Sequence, residues 1–386
     1  MVGQKGIPAN YGGVERAVEE LSARLVERGH EVSVFNRREY RDEPIAEHRG
    51  IQLVPVRATS GKHSGNLTQS LSGTVRTVGR GFDVVHFHAM GPCLFTPLAR
   101  VGSNAAVVAT IQGRDDQRAK WGLAARASLR TAAWASAHVP HEVIVVSKQL
   151  GHHYEADHRR ATHHIPNGVT PADRSRQADT AVLDRFGLCN QGYILNVGRL
   201  VPEKAMDQAI IAFRKVETDA KLVIVGGSSH TDTYVKRLEQ LAAQDERVVL
   251  TGPLYGDELG CVFGQASAYV MPSLLEGLPL ALLEAVSYHL PLIVSDIQPH
   301  LEVVESDGIG HRVFRAGDVD DMARAMKRTL EDVRFSGDAC RQLEERVAEE
   351  YSWDRITMLT EDVYRQAIER AAGGVRRRLW SPRSQR

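Results

Sequence analysis

Residues 268–285 read AYVMPSLLEGLPLALLEA and join a strand-like run to a helix-like run. The apolar segment Ala268–Ser273 predicts a buried strand, and the residues after it predict a helix that ends at about His289. Pro279 suits the first helical position, because its fixed φ is helical and its missing N–H would have no partner there. A strand that leads directly into a helix is the repeating unit of a parallel α/β sheet.

The start of this helix is a predicted anion site. The N–H groups of Leu280 and Ala281 precede the first hydrogen bond of the helix and would point towards a bound anion. Glu276 and Glu284 bracket the site. A carboxylate would repel a phosphate, so we expect both glutamates to bind sugar hydroxyls. The combination predicts a nucleotide-sugar site; the alternative is an amphipathic helix cap with two ordinary surface glutamates.

A second charged stretch, Asn196–Lys204, predicts a diphosphate clamp. A strand is expected to end at Val197, Gly198 permits a tight turn, and Arg199 and Lys204 flank a helix start. Arginine can bind two phosphate oxygens at once, and lysine acts as a point charge. The alternative is a salt-bridged pair of residues on a surface loop.

At these residues the chain resembles the retaining glycosyltransferases of family 4, which have the GT-B fold. In that family two glutamates are separated by seven residues, as Glu276 and Glu284 are here. The resemblance implies that Glu276 faces the donor sugar and Glu284 the ribose. Arg199 and Lys204 would bind the diphosphate and stabilise the leaving nucleotide. The backbone between the glutamates would also meet the diphosphate, at Gly277, Leu278, Pro279 and Leu280.

The resemblance covers nearly the whole chain and is strongest from Asn196 to Pro299. Near the start it includes the loop Gly6–Glu15, whose run resembles the rhamnosyltransferase and related surface-polysaccharide branch of the family. In the family this loop reaches over the cleft towards the donor phosphates and the acceptor, which makes Gly12 and Gly13 donor-binding candidates. Without the resemblance the two glycines would predict only a turn.

Three further positions are assigned to the donor by the resemblance. Many relatives have histidine where Gln112 stands, beside the donor sugar; glutamine can bond a hydroxyl but cannot carry a proton at neutral pH. Gly252 begins a loop whose backbone, through Leu254, would read the nucleotide base. Ala205 stands where glycine is frequent, a change expected to alter only the local loop geometry.

The acceptor side is less clearly marked. Strand alternation puts His86 and His88 on one face, where they could pack, bind a metal or contact the acceptor. No cysteine or carboxylate supplies an obvious further ligand, so we expect no metal there. Lys120 and Trp121 are assigned to the acceptor side, where Trp121 would stack on a sugar ring or else belong to a core.

Composition excludes several classes of protein. The chain has 386 residues, 42 % of them hydrophobic and 25 % charged, and no net charge. These values are ordinary for a globular protein and do not indicate a nucleic-acid binder. The four cysteines form no Cys-x-x-Cys pair, no apolar run is long enough to span a membrane, and no signal peptide is visible. We therefore expect a cytoplasmic protein.

Apolar strands alternate with helices along the chain, which predicts an α/β protein with two doubly wound, Rossmann-like domains facing across a cleft. The expected order is an acceptor-side domain (1–170), a linker (171–180), a donor domain (181–350), a helix packing back across both (351–372) and a basic tail (373–386). Met1-Val2-Gly3 would be the end of a buried strand, so we expect the first strand to be truncated. The tail, with Arg376–Arg383, is expected to be disordered or to contact the inner face of a membrane.

Specific elements follow from the same patterns. Helices are predicted at Gly13–Arg28, Val319–Leu330 and Trp353–Ala371. Strands are predicted at Glu31–Phe35, Ile51–Val56, Asp83–Phe87, Ala106–Ile111, Val143–Val146, Tyr193–Val197, Lys221–Val225, Val248–Thr251, Ala268–Met271 and Leu292–Val294. Asn167-Gly168 predicts a sharp turn with left-handed backbone.

The leading hypothesis is therefore a glycosyltransferase that moves a sugar, with retention of configuration, from a UDP-, GDP- or dTDP-sugar to a hydroxyl acceptor. By family analogy the acceptor is a glycan or a lipid-linked glycan of a cell-surface polysaccharide. No metal cofactor is expected, because the cations and the helix start would neutralise the diphosphate. The alternatives are an epimerase or phosphorylase of the same fold, and a non-catalytic partner protein.

Overall fold

The computed structural model describes residues 1–9, 12–40, 45–59, 64–114, 123–172, 181–228, 231–304, 310–332 and 338–379. The chain forms two compact units, one of Met1–Gly168 with Trp353–Arg386 and one of Val169–Ser352. Both alternate strands with helices, and nearly all of their strand pairs are parallel. The predicted two-domain α/β architecture is confirmed. Residues 173–180 of the predicted linker and 380–386 of the predicted tail lie outside the described residues.

The first unit contains two sheets, with strand orders β1-β3-β2 and β4-β5-β6-β7. Its strands are β1 (Ser33–Arg37), β2 (Glu47–His48), β3 (Ile51–Val56), β4 (Val84–His88), β5 (Ala106–Ile111), β6 (Glu142–Val145) and β7 (His163–His164). Its helices are α1 (Gly13–Glu27), α2 (Ser64–Thr77), α3 (Thr96–Gly102), α4 (Leu123–His138), α5 (Lys148–His158) and α14 (Trp353–Leu379).

Met1 and Val2 lie between the two sheets of this unit. The Met1 carbonyl accepts a hydrogen bond from Phe35 N in β1 at 3.2 Å. On the other side Val2 N donates to His86 O at 2.9 Å, and His88 N donates to Val2 O at 2.8 Å. The chain therefore forms hydrogen bonds with a strand on either side, and Val2 is only 1 % exposed. Both features are expected of a residue in a central strand.

The second unit is one six-stranded parallel sheet in the order β10-β9-β8-β11-β12-β13. Its strands are β8 (Tyr193–Val197), β9 (Lys221–Val225), β10 (Val248–Gly252), β11 (Ala268–Met271), β12 (Leu292–Ser295) and β13 (His311–Phe314). Its helices are α6 (Ala181–Arg185), α7 (Met206–Phe213), α8 (Asp232–Ala242), α9 (Gly256–Gly264), α10 (Leu280–Ser287), α11 (Gln298–Val304), α12 (Val319–Glu331) and α13 (Asp338–Glu350). The strand order reverses between β8 and β11, and ligands of open parallel sheets bind at such a point.

The predicted strands agree with the structure to within two residues at either end, and five of them have the same bounds. The strands that were not predicted, β2, β7 and β13, are short or contain polar residues. Their sequences therefore lack an apolar run or a clear alternation. The helix α14 continues to Leu379, eight residues beyond the predicted end at Ala371.

The expectation of a left-handed turn at Asn167-Gly168 is wrong. Neither residue has a positive φ in the structure. Glycine is needed at this position for space, because a Cβ on Gly168 would lie 2.3 Å from Cδ2 of the buried Trp353 ring. The close approach of Trp353, which begins α14, could not be read from a sequence separation of this size.

Charged side chains that follow the end of α1 form hydrogen bonds with α14. Arg28 donates to both carboxylate oxygens of Glu361, at 3.0 and 2.7 Å, and His30 Nε2 lies 2.7 Å from Glu361 Oε1. Bidentate arginine–carboxylate pairs are the stronger kind of ion pair. The hydrogen bonds from Arg28, helped by His30 and opposed by burial, lower the pKa of Glu361 from 4.5 to about 2.

We expect Glu361→Gln to lower the melting temperature at neutral pH but not in acid. A carboxyl group with a depressed pKa in the folded state stabilises that state above its unfolded pKa, and this contribution is lost as pH falls towards the folded value. The window therefore runs from about pH 4.5 down to about pH 2. Thermal melts of both proteins across this range test it. A difference in melting temperature that stays constant with pH would contradict this role of the Arg28–Glu361 ion pair.

Among the described residues no helix combines the length and the apolar character needed to cross a membrane.

Candidate functional site

Three glycines lie at the carboxyl ends of the neighbouring strands β8, β9 and β10 of the second sheet. Gly198 follows β8 and donates its N–H to Val225 O at 3.0 Å. Gly226 follows β9 and donates to the carbonyl of Gly252, the last residue of β10, at 3.0 Å. A Cβ on Gly226 would lie 1.8 Å from Gly198 O, so only glycine permits this approach of the two loops. The edge therefore presents closely packed backbone.

A buried ion pair connects the loop after β8 with the loop after β11. Lys204 ends the short 3₁₀ turn Pro202–Lys204, and its Nζ donates to Glu276 Oε1. The Ser273 hydroxyl donates to the same oxygen at 2.7 Å. The side chains of Lys204 and Glu276 are only 14 % and 11 % exposed. Two residues that are 72 positions apart in sequence thus form one charged unit, as the sequence analysis assigned them to one site.

The charge of Glu276 is stabilised by this pairing. Burial alone would raise the pKa of the carboxyl group, but Lys204 and the hydrogen bond from Ser273 hold that pKa below its ordinary value. Glu276 is therefore an anion at neutral pH. Tyr269 of β11 lies beside it, and its hydroxyl donates to Val197 O at 3.3 Å. Burial raises the pKa of Tyr269, and the charges of Glu276 and Glu284 add to that rise.

The helix α10 begins one residue later than predicted. Pro279 is its N-cap residue, with φ −81° and ψ 107°, so it is not the first helical residue. Its carbonyl accepts from Leu282 N at 3.1 Å and Leu283 N at 3.4 Å. The N–H groups of Leu280 and Ala281 precede these bonds, as predicted, because the first turn of a helix has no acceptor within the helix.

His300, a fully buried residue of α11, was not among the residues predicted for the site. Its Nδ1 lies 3.1 Å from the Ser295 carbonyl and 3.0 Å from the Ser295 hydroxyl, which in turn donates to Ser273 O at 2.6 Å. A carbonyl only accepts, so Nδ1 carries the proton. Burial, in spite of the nearby charge of Glu276, lowers the pKa of His300 to about 4 and keeps it neutral.

His300 therefore supports Glu276 through two serines. Ser295 holds the backbone of Ser273, and the Ser273 hydroxyl holds Glu276. The other ring nitrogen, Nε2, is buried and has no hydrogen-bond partner within the described part of the chain. A histidine 24 residues beyond Glu276 in sequence is no recognisable signal by itself, and only its position in the fold reveals it.

We expect His300→Leu to lower turnover by about tenfold, since leaving a buried hydrogen-bonding group without its partner costs about 1–3 kcal/mol. His300→Asn places an N–H near the position of Nδ1 and should retain most of the activity. A purely structural role would reduce the melting temperature of both variants without separating their kcat values. Steady-state kinetics and melts of the two purified variants test this, and equal activity of the leucine variant and the wild type would contradict it.

The other predicted site residues of the second unit lie in loops at the carboxyl edge of the sheet or on helices of that unit. Arg199 is exposed and directly follows Gly198. Leu254 is buried in the loop after Gly252, and Glu284 is half-buried in the second turn of α10. Ala205 has φ 50° and ψ 34°, the left-handed conformation that glycine adopts without strain. A glycine would therefore fit this position without a change in the backbone.

In the first unit, Gly12 and Gly13 form the exposed start of α1. Gly12 is the N-cap residue with φ 109°, and a Cβ there would lie 2.1 Å from Glu15 Oε2. Glu15 is buried and its other oxygen accepts from Lys5 N at 3.0 Å. The positive φ of Gly12 favours glycine for a structural reason that is separate from the predicted donor-binding role.

Gln112 lies just after β5 and is bonded within the unit. Asn167 Nδ2 donates to Gln112 Oε1 at 2.9 Å. The amide nitrogen is consequently the part of Gln112 that can donate to a sugar hydroxyl. Asn167, which was predicted only as a turn residue, instead orients this candidate.

The two histidines of β4 are buried, each 2 % exposed, with ring centroids 4.1 Å apart. His86 bonds Tyr364 and Thr110, both at 2.7 Å, and burial lowers the pKa of His88 to about 3. These are packing and hydrogen-bonding contacts, and an acceptor-side role for His88 stays a prediction. Within the described residues no three His, Cys, Asp or Glu side chains are arranged to hold a metal. Lys120 and Trp121 lie outside the described residues.

Two family models match the chain, one in each half. Residues 11–173 match Glycosyltransferase Family 4, and residues 188–349 match Glycosyl transferases group 1. The second match contains the whole edge of the sheet with Gly198, Lys204 and Glu276.

Several named glycosyltransferases are similar in sequence. An uncharacterised glycosyltransferase of Methanocaldococcus jannaschii is 32 % identical over 46 % of this chain and 45 % of its own length. A GDP-mannose-dependent α-(1-6)-phosphatidylinositol monomannoside mannosyltransferase of Mycolicibacterium smegmatis is 28 % identical over 85 % of this chain and 88 % of the relative. The chain thus spans less than half of the archaeal relative and most of the mycobacterial one.

Solved structures show the same fold. Sucrose-phosphate synthase of Thermosynechococcus elongatus has a TM-score of 0.79 at 20 % identity, covering 92 % of this chain and 93 % of that one. Anabaena HepE, solved with UDP and glucose, has a TM-score of 0.76 at 16 % identity, covering 91 % and 95 %. At these identities the likeness shows the fold alone.

Proposed function

The chain belongs to the family 4 glycosyltransferases of the GT-B type, and on that premise we propose that it transfers a sugar from a nucleotide-diphosphate donor to a hydroxyl group with retention of configuration. The observation that carries the proposal is the buried Lys204–Glu276 pair at the reversal of strand order, beside the start of α10. A diphosphate and a sugar together require cations, a carboxylate and N–H groups such as those that precede the first hydrogen bond of α10.

Lys204, Arg199 and the start of α10 would bind the diphosphate. Negative charge builds up on the diphosphate as the sugar leaves, and fixed cations and N–H dipoles stabilise that charge most in the transition state. Because these groups supply the positive charge, we propose that the reaction needs no metal cofactor.

Glu276 would orient the hydroxyls of the donor sugar. In the structure Lys204 is its counter-ion, so a bound diphosphate would compete with Glu276 for the ammonium group. A carboxylate that remains hydrogen-bonded to Ser273 can then accept from sugar hydroxyls. With retention, the acceptor hydroxyl attacks from the face that the phosphate leaves, and a phosphate oxygen of the donor takes its proton.

The donor and acceptor classes follow from relatives. The mycobacterial relative is named for GDP-mannose, an Escherichia coli relative for mannose transfer to the O-antigen chain, and HepE was solved with UDP. We therefore propose GDP-mannose and UDP-sugars as the first donors to test. The proposed acceptor is a lipid-linked or growing surface glycan.

We expect the purified chain to be stabilised by one nucleoside diphosphate and more strongly by one of its sugar conjugates. A ligand at about 100 times its Kd adds about 2.7 kcal/mol to the free energy of unfolding. Melting with GDP, UDP, dTDP and ADP and their sugars measures this. The same ligands should stabilise Arg199→Ala less than the wild type, because the arginine is proposed to bind the ligand phosphates.

The stabilising donor then enters a transfer assay with simple glycoside acceptors, in which the anomeric proton signal of the product reports retention. Release of free sugar without an acceptor requirement would favour a phosphorylase or epimerase. Absence of any ligand-induced shift in the folded protein would contradict the proposed site.

A further inference from the structure

Four polar side chains of the helix α2 are buried, while two of its apolar side chains are exposed. Its buried side chains are mostly polar: Gln69, Ser70, Thr74 and Thr77. The buried hydroxyls are satisfied within the helix; Thr74, for example, donates to Ser70 O at 2.7 Å. Leu71 and Val75 are 40 % and 53 % exposed. This is the reverse of the usual pattern for a helix on a globular protein, whose apolar stripe faces the core.

The exposed stripe continues onto the neighbouring helix. Val78, just after α2, is 38 % exposed, and on α3 Leu98 and Val101 are 38 % and 82 % exposed. The two helices meet at this point, because a Cβ on Gly102 would lie 2.8 Å from Val78 Cγ2. Leu71, Val75, Val78, Leu98 and Val101 thus form one surface, here named the outer apolar face. Contiguous exposed apolar surface marks a place of interaction.

Positive charge borders the outer apolar face. Arg76 and Arg80 are exposed beside Val75 and Val78, and Arg100 is exposed beside Val101. Between residues 64 and 105 the sequence has a single carboxylate, Asp83. Aliphatic side chains with arginines around them are the pattern of a segment that lies in the interface of an anionic bilayer.

We propose that the outer apolar face docks the protein on an anionic lipid bilayer. A second copy of the chain is a poorer occupant, because a two-fold contact would bring the same arginines of both copies together. The face also lacks the aromatic side chains that usually anchor protein interfaces. The inference is independent of the donor chemistry proposed above and would stand if that failed.

The test is flotation of the purified full chain with vesicles of phosphatidylcholine alone and of phosphatidylcholine with phosphatidylglycerol. One variant carries Val75→Glu and Val101→Glu, and a second carries Arg76→Gln and Arg80→Gln. The control is Met358→Glu on α14, because Met358 is an exposed apolar residue of similar accessibility, 48 %, outside this face. Melting curves confirm that each variant is folded.

We expect binding to the anionic vesicles only, weakened by salt. The arginine variant should bind about tenfold or more weakly, since each basic residue near an anionic surface adds about fivefold to the partition. The double-glutamate variant should lose binding, and the Met358 control should bind as the wild type does.

Four results would overturn the proposal. The first two would be that the wild-type chain binds no vesicle, or that it binds vesicles of both compositions equally. The double-glutamate variant binds normally while Arg376→Gln, Arg377→Gln and Arg378→Gln together abolish binding, which would assign the contact to the C-terminal basic segment. The fourth would be a wild type that is a dimer by light scattering and a double-glutamate variant that is a monomer. That result would make the outer apolar face a protein interface.

Discussion

Lys204→Met is expected to lower kcat by about 10²- to 10³-fold, the usual loss when one fixed group that stabilises developing charge is removed. Glu276→Gln should have an effect of similar size, because the amide keeps the shape of the side chain but not its charge. Kinetics with the donor identified by thermal stabilisation measure both. Turnover of Lys204→Met within a few-fold of the wild type would contradict the role of this residue.

The same variants should unfold more readily, for a separate reason. Lys204 and Glu276 are both largely buried, and removal of one partner leaves the other charge uncompensated, which costs about 3–5 kcal/mol in comparable buried pairs. The double variant with Lys204→Met and Glu276→Gln removes both charges and should recover most of that stability. It should nevertheless remain inactive, which separates loss of chemistry from loss of fold.

Lys215→Met provides the matched control. Lys215 pairs with Asp320 at 2.5 Å, but these side chains are 48 % and 68 % exposed. An exposed pair contributes about 0–1 kcal/mol, so stability and turnover should both be close to the wild-type values. If Lys204→Met and Lys215→Met behave alike in denaturant melts, the buried character of the first pair has no energetic consequence.

Gly226→Ala is expected to destabilise the second unit by about 3 kcal/mol and to abolish stabilisation by the nucleotide. The new Cβ would be placed 1.8 Å from Gly198 O, and a backbone oxygen cannot rotate away as a side chain can. The loop that carries Arg199 and leads to Lys204 must therefore move. Urea unfolding and the ligand-induced shift in melting temperature measure the two effects.

Gly227→Ala is the control for that substitution. The neighbouring position has its nearest contacts at 3.8 Å, with Cβ and Cγ of Pro253, which is ordinary van der Waals separation. Loss of glycine flexibility is then the same for both variants, and only the clash differs. Equal stability of the two alanine variants would show that the close approach of the two loops is not required.

Much of the second unit follows from local patterns. Apolar runs such as Tyr193–Val197 and Ala268–Met271 have the length and the β-branched content of buried strands, and their predicted bounds are those of the structure. The resemblance of their surroundings to a family also predicts that Lys204 and Glu276 belong to one site. Helix ends were less predictable, as Pro279 shows, because capping depends on one or two backbone dihedrals.

The sequence by itself therefore determined the α/β class, the strands with an apolar run, and the charged residues expected at their carboxyl ends, since periodicity and side-chain chemistry are local properties. Tertiary structure alone decided the rest. It brought His300 behind Glu276 through Ser295 and Ser273, placed Trp353 against Gly168, and turned the apolar stripe of α2 outward. These are contacts between distant residues or the choice of which helix face is buried, and they depend on packing that no local pattern contains.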